Sequence, residues 1–253
     1  MKKITSLVIT GVLAAATVVA APVAAQAAPK SFDLPKNCSS IYGGKKLTAK
    51  EAQAKQGNVH PNKGKEYVYS VHCFNEDYTT TNHLVVANSK GKLLSSSVIG
   101  KDVFSGVLSV SKKGVVELGT LLQYKGNTSE YRTMTATWNK KSKKLKINKG
   151  KTAGYVKAVH NLGAQLAKGK KATAVTGSKA NLKKINNFGK KYKKAKANVR
   201  AISCAEITSK KGACSLTYLK GSKVYGLTFE VSKSGKKYKV SKLKTTSVKA
   251  GQG

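Results

Sequence analysis

From Glu66 onward, apolar and polar residues alternate with a period of two. Tyr67, Tyr69, Val71 and Cys73 fall on one face, the pattern of a half-buried strand. Similar runs at 81–87, 93–99, 103–110, 115–123 and 130–138, with a short one near 145–148, are separated by Gly-bearing turns and predict an antiparallel meander. The period then lengthens. Tyr155, Val156, Val159, Leu162 and Leu166 recur at helical spacing, as do Leu182, Ile185, Phe188 and Tyr192. Asn186, Asn187 and Gly189 make the second helix weak and prone to bend or fray. Period two resumes over 199–207, 213–219, 223–231 and 237–245, most cleanly at Tyr225, Leu227, Phe229 and Val231. Ahead of the meander, Thr48 and Glu51 have capping-box spacing and predict a short helix from Thr48 to Gln56, with Gly57 ending it.

The fold class that follows is α+β, mostly antiparallel β. An N-terminal β-meander over 28–139 precedes a module of two helices and a four-stranded meander over 152–253, joined by a lysine-rich linker at 140–151. One local pattern recurs between strand-like runs: Asn88–Gly91, Ser111–Gly114, Ser209–Gly212 and Ser232–Gly235. In each the glycine is expected to supply a positive φ at a hairpin turn, with lysines at the tip. Two copies fall in each half, but simple reuse of one turn in a lysine-rich meander accounts for them.

Residues 1–27 read as a removable export signal: Lys2 and Lys3, an apolar stretch from Ile4 to Ala21, then Ala25-Gln26-Ala27. An exported chain with four cysteines points to two disulfides. Of the three possible pairings, spacing favours Cys204 with Cys214, which flank a turn-like stretch, leaving Cys38 to join Cys73. There is no C-x-x-C pair to support a redox role. The expected location is secreted, or loosely held at the cell wall.

Charge changes the picture most. Lys+Arg is 48 against 10 for Asp+Glu, a formal net charge of +38. Residues 28–139 hold a balance of +7, whereas 140–253 hold 30 Lys, 1 Arg and 2 acids, a balance of +29. The densest stretch carries Lys183, Lys184, Lys190, Lys191, Lys193, Lys194 and Lys196, mostly on the helical side away from Leu182, Ile185, Phe188 and Tyr192. Lys210, Lys211, Lys236 and Lys237 add turn-tip charge. These lysines are the candidate polyanion-binding residues. Only Arg132 and Arg200 are arginine, so the planar fork that reads guanine is scarce and sequence-specific nucleic-acid recognition is not expected. Diffuse, salt-sensitive binding to anionic cell-wall polymers or other polyanions is.

No G-x-S-x-G, H-E-x-x-H, Walker or dinucleotide-binding motif is present, and the few acids, histidines and cysteines predict no catalytic residue, metal site or cofactor. The nearest approach to an acid/base site is Glu76 and Asp77 beside His72 and His83 on neighbouring strands. His60 and His160 have no partner by spacing, and Trp138 reads as core or edge packing. The reading that follows is a non-enzymatic, secreted, cationic polyanion binder. The alternative is a secreted antimicrobial protein, or precursor of a membrane-active fragment, acting through the amphipathic stretch 179–200 on anionic membranes. An enzyme or enzyme inhibitor acting on a charged envelope substrate ranks third.

Overall fold

The computed structural model describes residues 29–36, 38–40, 46–60, 64–74, 80–101 and 103–249. The expected export signal therefore lies outside the described residues, as do Glu76 and Asp77. The N-terminal segment contributes β1 (Ser31–Asp33), β2 (Ser39–Ser40), β3 (Lys46–Thr48), α1 (Ala49–Ala52) and β4 (Lys55–Gly57). Seven strands follow: β5 (Glu66–Phe74), β6 (Thr80–Ala87), β7 (Leu93–Lys101), β8 (Phe104–Val110), β9 (Val116–Lys125), β10 (Thr128–Asn139) and β11 (Lys144–Asn148). Then come α2 (Gly154–Ala167), α3 (Lys179–Tyr192) and a 3₁₀ turn (Ala197–Val199). The described chain closes with β12 (Arg200–Thr208), β13 (Lys211–Lys220), β14 (Lys223–Ser234) and β15 (Lys237–Lys249). The chain is mostly β, with antiparallel sheets and three α-helices among the described residues.

Helix α1 starts as its capping box dictates: the Glu51 carboxylate accepts from the Thr48 N–H at 2.7 Å, and Thr48 Oγ1 accepts from the Glu51 N–H at 3.3 Å. It stops earlier than Gly57. Gln53 takes a left-handed φ of 46°, and the chain beyond it pairs as β4 with Glu66–Val68 of β5. Ladder hydrogen bonds available from β5 replace those that a longer helix would have made.

The first run of strands divides between two sheets instead of forming one meander. β5, β6 and β7 lie in a five-stranded sheet with β2 and β4, whereas β8, β9 and β10 begin an eight-stranded sheet. Burial explains the split. Val68, Leu84, Val86 and Ile99 of the smaller sheet face Val107, Val116, Leu118, Met134 and Ala136 of the larger one in a shared core, apolar surface that a single open sheet would leave wet. The other face of the smaller sheet is covered by the N-terminal segment, with Phe32 and Leu47 packed on Tyr67, Tyr69 and Val85.

The larger sheet runs β15-β14-β13-β12-β10-β9-β8, with β11 also on β10. Its one parallel join among these strands is β10 with β12, where Thr128–Tyr131 pair with Ile202–Ala205. Strands from both halves therefore belong to one continuous sheet. Residues 140–151, expected as a linker, carry β11, which folds back on β10. Arg132 then holds the next turn, donating to the carbonyls of Lys149 and Lys151.

Along β10 the same face is buried throughout, but against different partners. Met134 and Ala136 meet the smaller sheet, whereas Thr128 bonds His160 of α2 and Glu130 accepts from the Ala153 N–H. Helices α2 and α3 cover the rest of this face through Leu162, Leu166 and Ile185 on Leu216, Leu227 and Val231, each large aliphatic contributing about 2 kcal/mol. The opposite face is open, and Leu108, Leu121 and Tyr131 are exposed.

Both disulfides form as the spacing favoured. Cys38 joins Cys73 across 35 residues and Cys204 joins Cys214 across 10, the second pair directly opposite one another on β12 and β13. Loop closure alone makes them worth about 4 and about 3 kcal/mol.

Candidate anion-binding surface

Helix α3 sets out most of the predicted lysines. Ser178 caps its start, its hydroxyl accepting from the Asn181 N–H at 3.2 Å. Ile185, Phe188 and Tyr192 are buried against the sheet and α2, leaving Lys183, Lys184, Lys190 and Lys191 exposed on the outer side. The two residue types expected to weaken this helix have packing roles. A Cβ on Gly189 would stand 2.7 Å from Leu166 Cδ2, so glycine allows α2 to lie close. Asn186 accepts from the Ala172 N–H at 3.0 Å and fixes the α2–α3 connection. The helix runs unbroken to Tyr192.

Beyond Tyr192 the chain turns under Arg200. Its guanidinium donates to the carbonyls of Lys193 and Ala195 and lies 5.3 Å from the Tyr192 ring centre. The Lys193 carbonyl, at the helix C-cap, is one that a helix end leaves without an intrahelical partner. Both arginines of the protein are thus occupied with backbone oxygens, and lysine supplies nearly all the free charge.

The turn places Lys191, Lys194 and Lys196 opposite Lys220, at the tip of the β13–β14 hairpin, around a cavity of about 570 Å³. Its wall is aromatic and aliphatic: Tyr218 and Tyr225 pair across the hairpin with rings stacked 5.2 Å apart, beside Val199 and Leu219. Tyr218 joins this cavity to the core through Phe188, at 5.4 Å, and Tyr192, at 6.2 Å. Burial, with Tyr225 adding to it, pushes the Tyr218 hydroxyl above its ordinary pKa, so it remains a neutral phenol. Lys220, Tyr218 and Tyr225 were not among the residues expected from sequence. The signal was available: residues equidistant from the Gly221-Ser222 turn pair across a hairpin.

The remaining predicted lysines do not join this cavity. Lys236 and Lys237 sit at the β14–β15 turn, near the start of α3, where Asn181 donates to the Val240 carbonyl. Lys210 and Lys211 lie at the β12–β13 turn, the opposite end of β13 from Lys220. Lys193 leaves the cavity too, its stem resting where Gly169 has no Cβ. Lys211 is partly neutralised: its ammonium is 2.7 Å from Glu230, which also holds Lys242 at 2.9 Å. Those two cations hold the Glu230 carboxyl below its usual pKa. The other acid of this half, Glu206, accepts the Thr133 N–H at 3.2 Å. Among the described residues, no other lysine of 140–249 has an acidic partner.

The expected turn at Ser209–Gly212 differs from its three counterparts. Gly91, Gly114 and Gly235 have positive φ, but Gly212 lies within β13 and does not. Its lack of a Cβ serves close approach: an added Cβ would stand 2.5 Å from the Tyr155 ring.

The histidines do not converge on one site. His72 pairs across strands with Asn82, so His83 falls on the opposite face. His72 stacks on Phe104, with ring centres 4.6 Å apart, while His83 meets Thr81 Oγ1 at 3.1 Å and burial lowers its pKa. His60 has the partner that spacing did not reveal: its ring bonds buried Glu66 and packs 3.5 Å from Trp138. His160 bonds Thr128 at 2.8 Å. No three metal-ligating side chains come together among the described residues, and no described helix is long and apolar enough to cross a membrane.

Comparison with family models, with curated proteins and with solved structures finds no match for this chain.

Proposed function

We propose that this is an exported, non-enzymatic protein that binds anionic cell-envelope polymers, or polyanions of similar spacing, through the lysines of its second half. The observation that carries this reading is the lack of counter-charge. Residues 140–253 hold 30 lysines and two acids. One of those acids is already shared between Lys211 and Lys242, and the other is turned to a backbone N–H. Such a surface repels itself unless anions condense on it, and a polymeric anion does this with release of its own counterions. The two disulfides suit an oxidising compartment outside the cytoplasm.

Lysine in place of arginine gives hydrated point charges that follow a flexible polyanion without demanding a fixed fork geometry. Binding should therefore be strong at low ionic strength, fall steeply with salt, and tolerate variation in the polymer. The test is retention of the mature protein on purified cell walls, with and without their anionic polymers, across a salt series. Retention should vanish on stripped walls and at about 1 M salt, where screening reaches within ~3 Å. Equal retention on stripped walls, or retention that salt does not weaken, overturns the reading.

The membrane-active alternative has less support. The apolar side of α3 that would enter a bilayer is occupied: Ile185, Phe188 and Tyr192 are core residues, so insertion requires the helix to leave the fold.

A further inference from the structure

We propose that the cavity between the end of α3 and the β13–β14 hairpin is a binding site for an anionic amphiphile, a phosphate or carboxylate head joined to an apolar body. The site is separate from polymer binding in general, since it uses an apolar wall for which a polyanion has no need.

The lining has two kinds of chemistry. Lys191, Lys194, Lys196 and Lys220 supply cations, none with an acidic partner among the described residues. Val199, Leu219 and the Tyr218–Tyr225 stack supply the apolar side, and Leu219 is 37% exposed. Among the described residues, no Asp, Glu, Asn, Gln, Ser or Thr side chain lines the cavity. That composition discriminates among ligands. A sugar would bring several hydroxyl donors to a lining whose side-chain acceptors are the hydroxyls of Tyr218 and Tyr225. Inorganic phosphate would satisfy the lysines and leave the apolar wall wet. A head-and-tail anion satisfies both. The volume, about 570 Å³, lies within the ~300–1,000 Å³ of small-ligand pockets.

The helix end would ordinarily oppose an anion, because the C-terminus of a helix carries partial negative charge. Arg200 offsets this by occupying the carbonyls of Lys193 and Ala195 from beneath the turn. Two backbone oxygens that would compete with an anion at the mouth are thereby occupied.

The test compares probes on the intact protein: octyl phosphate below its micelle concentration, inorganic phosphate, octyl glucoside, and vesicles containing phosphatidylglycerol. Octyl phosphate should bind at least about tenfold more tightly than either inorganic phosphate or octyl glucoside. Leu219→Ser with Val199→Ser should remove the octyl advantage while leaving inorganic phosphate binding and retention on anionic polymer unchanged. Lys194→Gln with Lys220→Gln should weaken both phosphates alike. Vesicle binding weakened by the serine pair supports the site with its amphiphile in a bilayer; binding of free octyl phosphate alone supports it with a dispersed one. Equal affinity of the unaltered protein for octyl and inorganic phosphate overturns the proposal, and this arm needs no variant to fold. Equal retention on stripped walls, or polymer retention that salt does not weaken, with the octyl preference intact, would remove the polymer reading and leave this one standing.

Discussion

Arg200 donates to the backbone carbonyl of Lys193 at 2.9 Å, so the strand that follows the helices holds the end of α3 in place. The same guanidinium reaches Ala195 and packs on Tyr192. Lysine at this position keeps the charge but loses the fork and the planar stacking surface. We expect Arg200→Lys to lower stability by about 1–2 kcal/mol, seen as a lower urea midpoint with an unchanged slope. Because net charge is retained, overall affinity for a long polyanion should hardly change. A wild-type urea midpoint for the variant would show that the clasp is not needed.

Glu230 restrains Lys211 and Lys242, and its carboxyl lies below the ordinary pKa because of them. A carboxyl depressed in the folded state adds stability above its unfolded pKa and loses that contribution as pH falls through the folded one. Glu230→Gln should therefore reduce stability at neutral pH, with the difference from wild type closing in acid. It also frees two lysines. Affinity for an anionic polymer should rise, and the dependence of log K on log salt should steepen. Thermal melts between pH 2 and 7 and a salt titration check the two halves; unchanged stability at neutral pH would count against the pairing.

Much of this fold was legible because side-chain periodicity reports burial directly. The lysine side of α3 follows from helical spacing alone, and Cys204 opposite Cys214 follows from a short hairpin. What escaped depends on which face covers which. The break between β7 and β8 is set by Val68, Leu84 and Val86 meeting Leu118 and Met134, a relation between distant segments that period two does not encode. The parallel join of β10 to β12 is equally non-local. Gly212 looked like a turn glycine because nothing in its neighbours reveals that Tyr155 lies over it. The cavity beside Lys220 was half legible: its lysines stood out in sequence, but Tyr218 and Tyr225 read only as strand positions until the hairpin brought them together.

Glu66 is 1% exposed and accepts the N–H groups of Val59, at 3.0 Å, and His60, at 2.9 Å, as well as the His60 ring. It fixes Val59 and His60, just after β4, from inside. Glu66→Ala leaves both amides without their acceptor, at a cost of about 2–3 kcal/mol. Glu66→Gln keeps one oxygen acceptor and should recover part of that loss. The Trp138 ring packs on His60, so its fluorescence offers a local readout that should shift in the alanine variant before global unfolding. An unshifted emission with unchanged stability would exclude this role.

The lysines of the second half occupy separated positions, and this has a measurable consequence. If the cluster around Lys191, Lys194, Lys196 and Lys220 engages a single flexible polyanion, replacing all four by glutamine should lower the slope of log K against log salt by about 3, taking roughly 0.7 per neutralised charge. Replacing Lys236 and Lys237, which lie at the other end of the module, should lower it by about 1.4 on the same basis. Sites this far apart with no shared partner should act additively, so the combined variant should lose close to the sum. A slope change from the first set only would confine the polymer to the C-terminal end of α3. Equal small changes from any lysine pair, wherever placed, would show that the polymer responds to net charge and not to the arrangement of these residues.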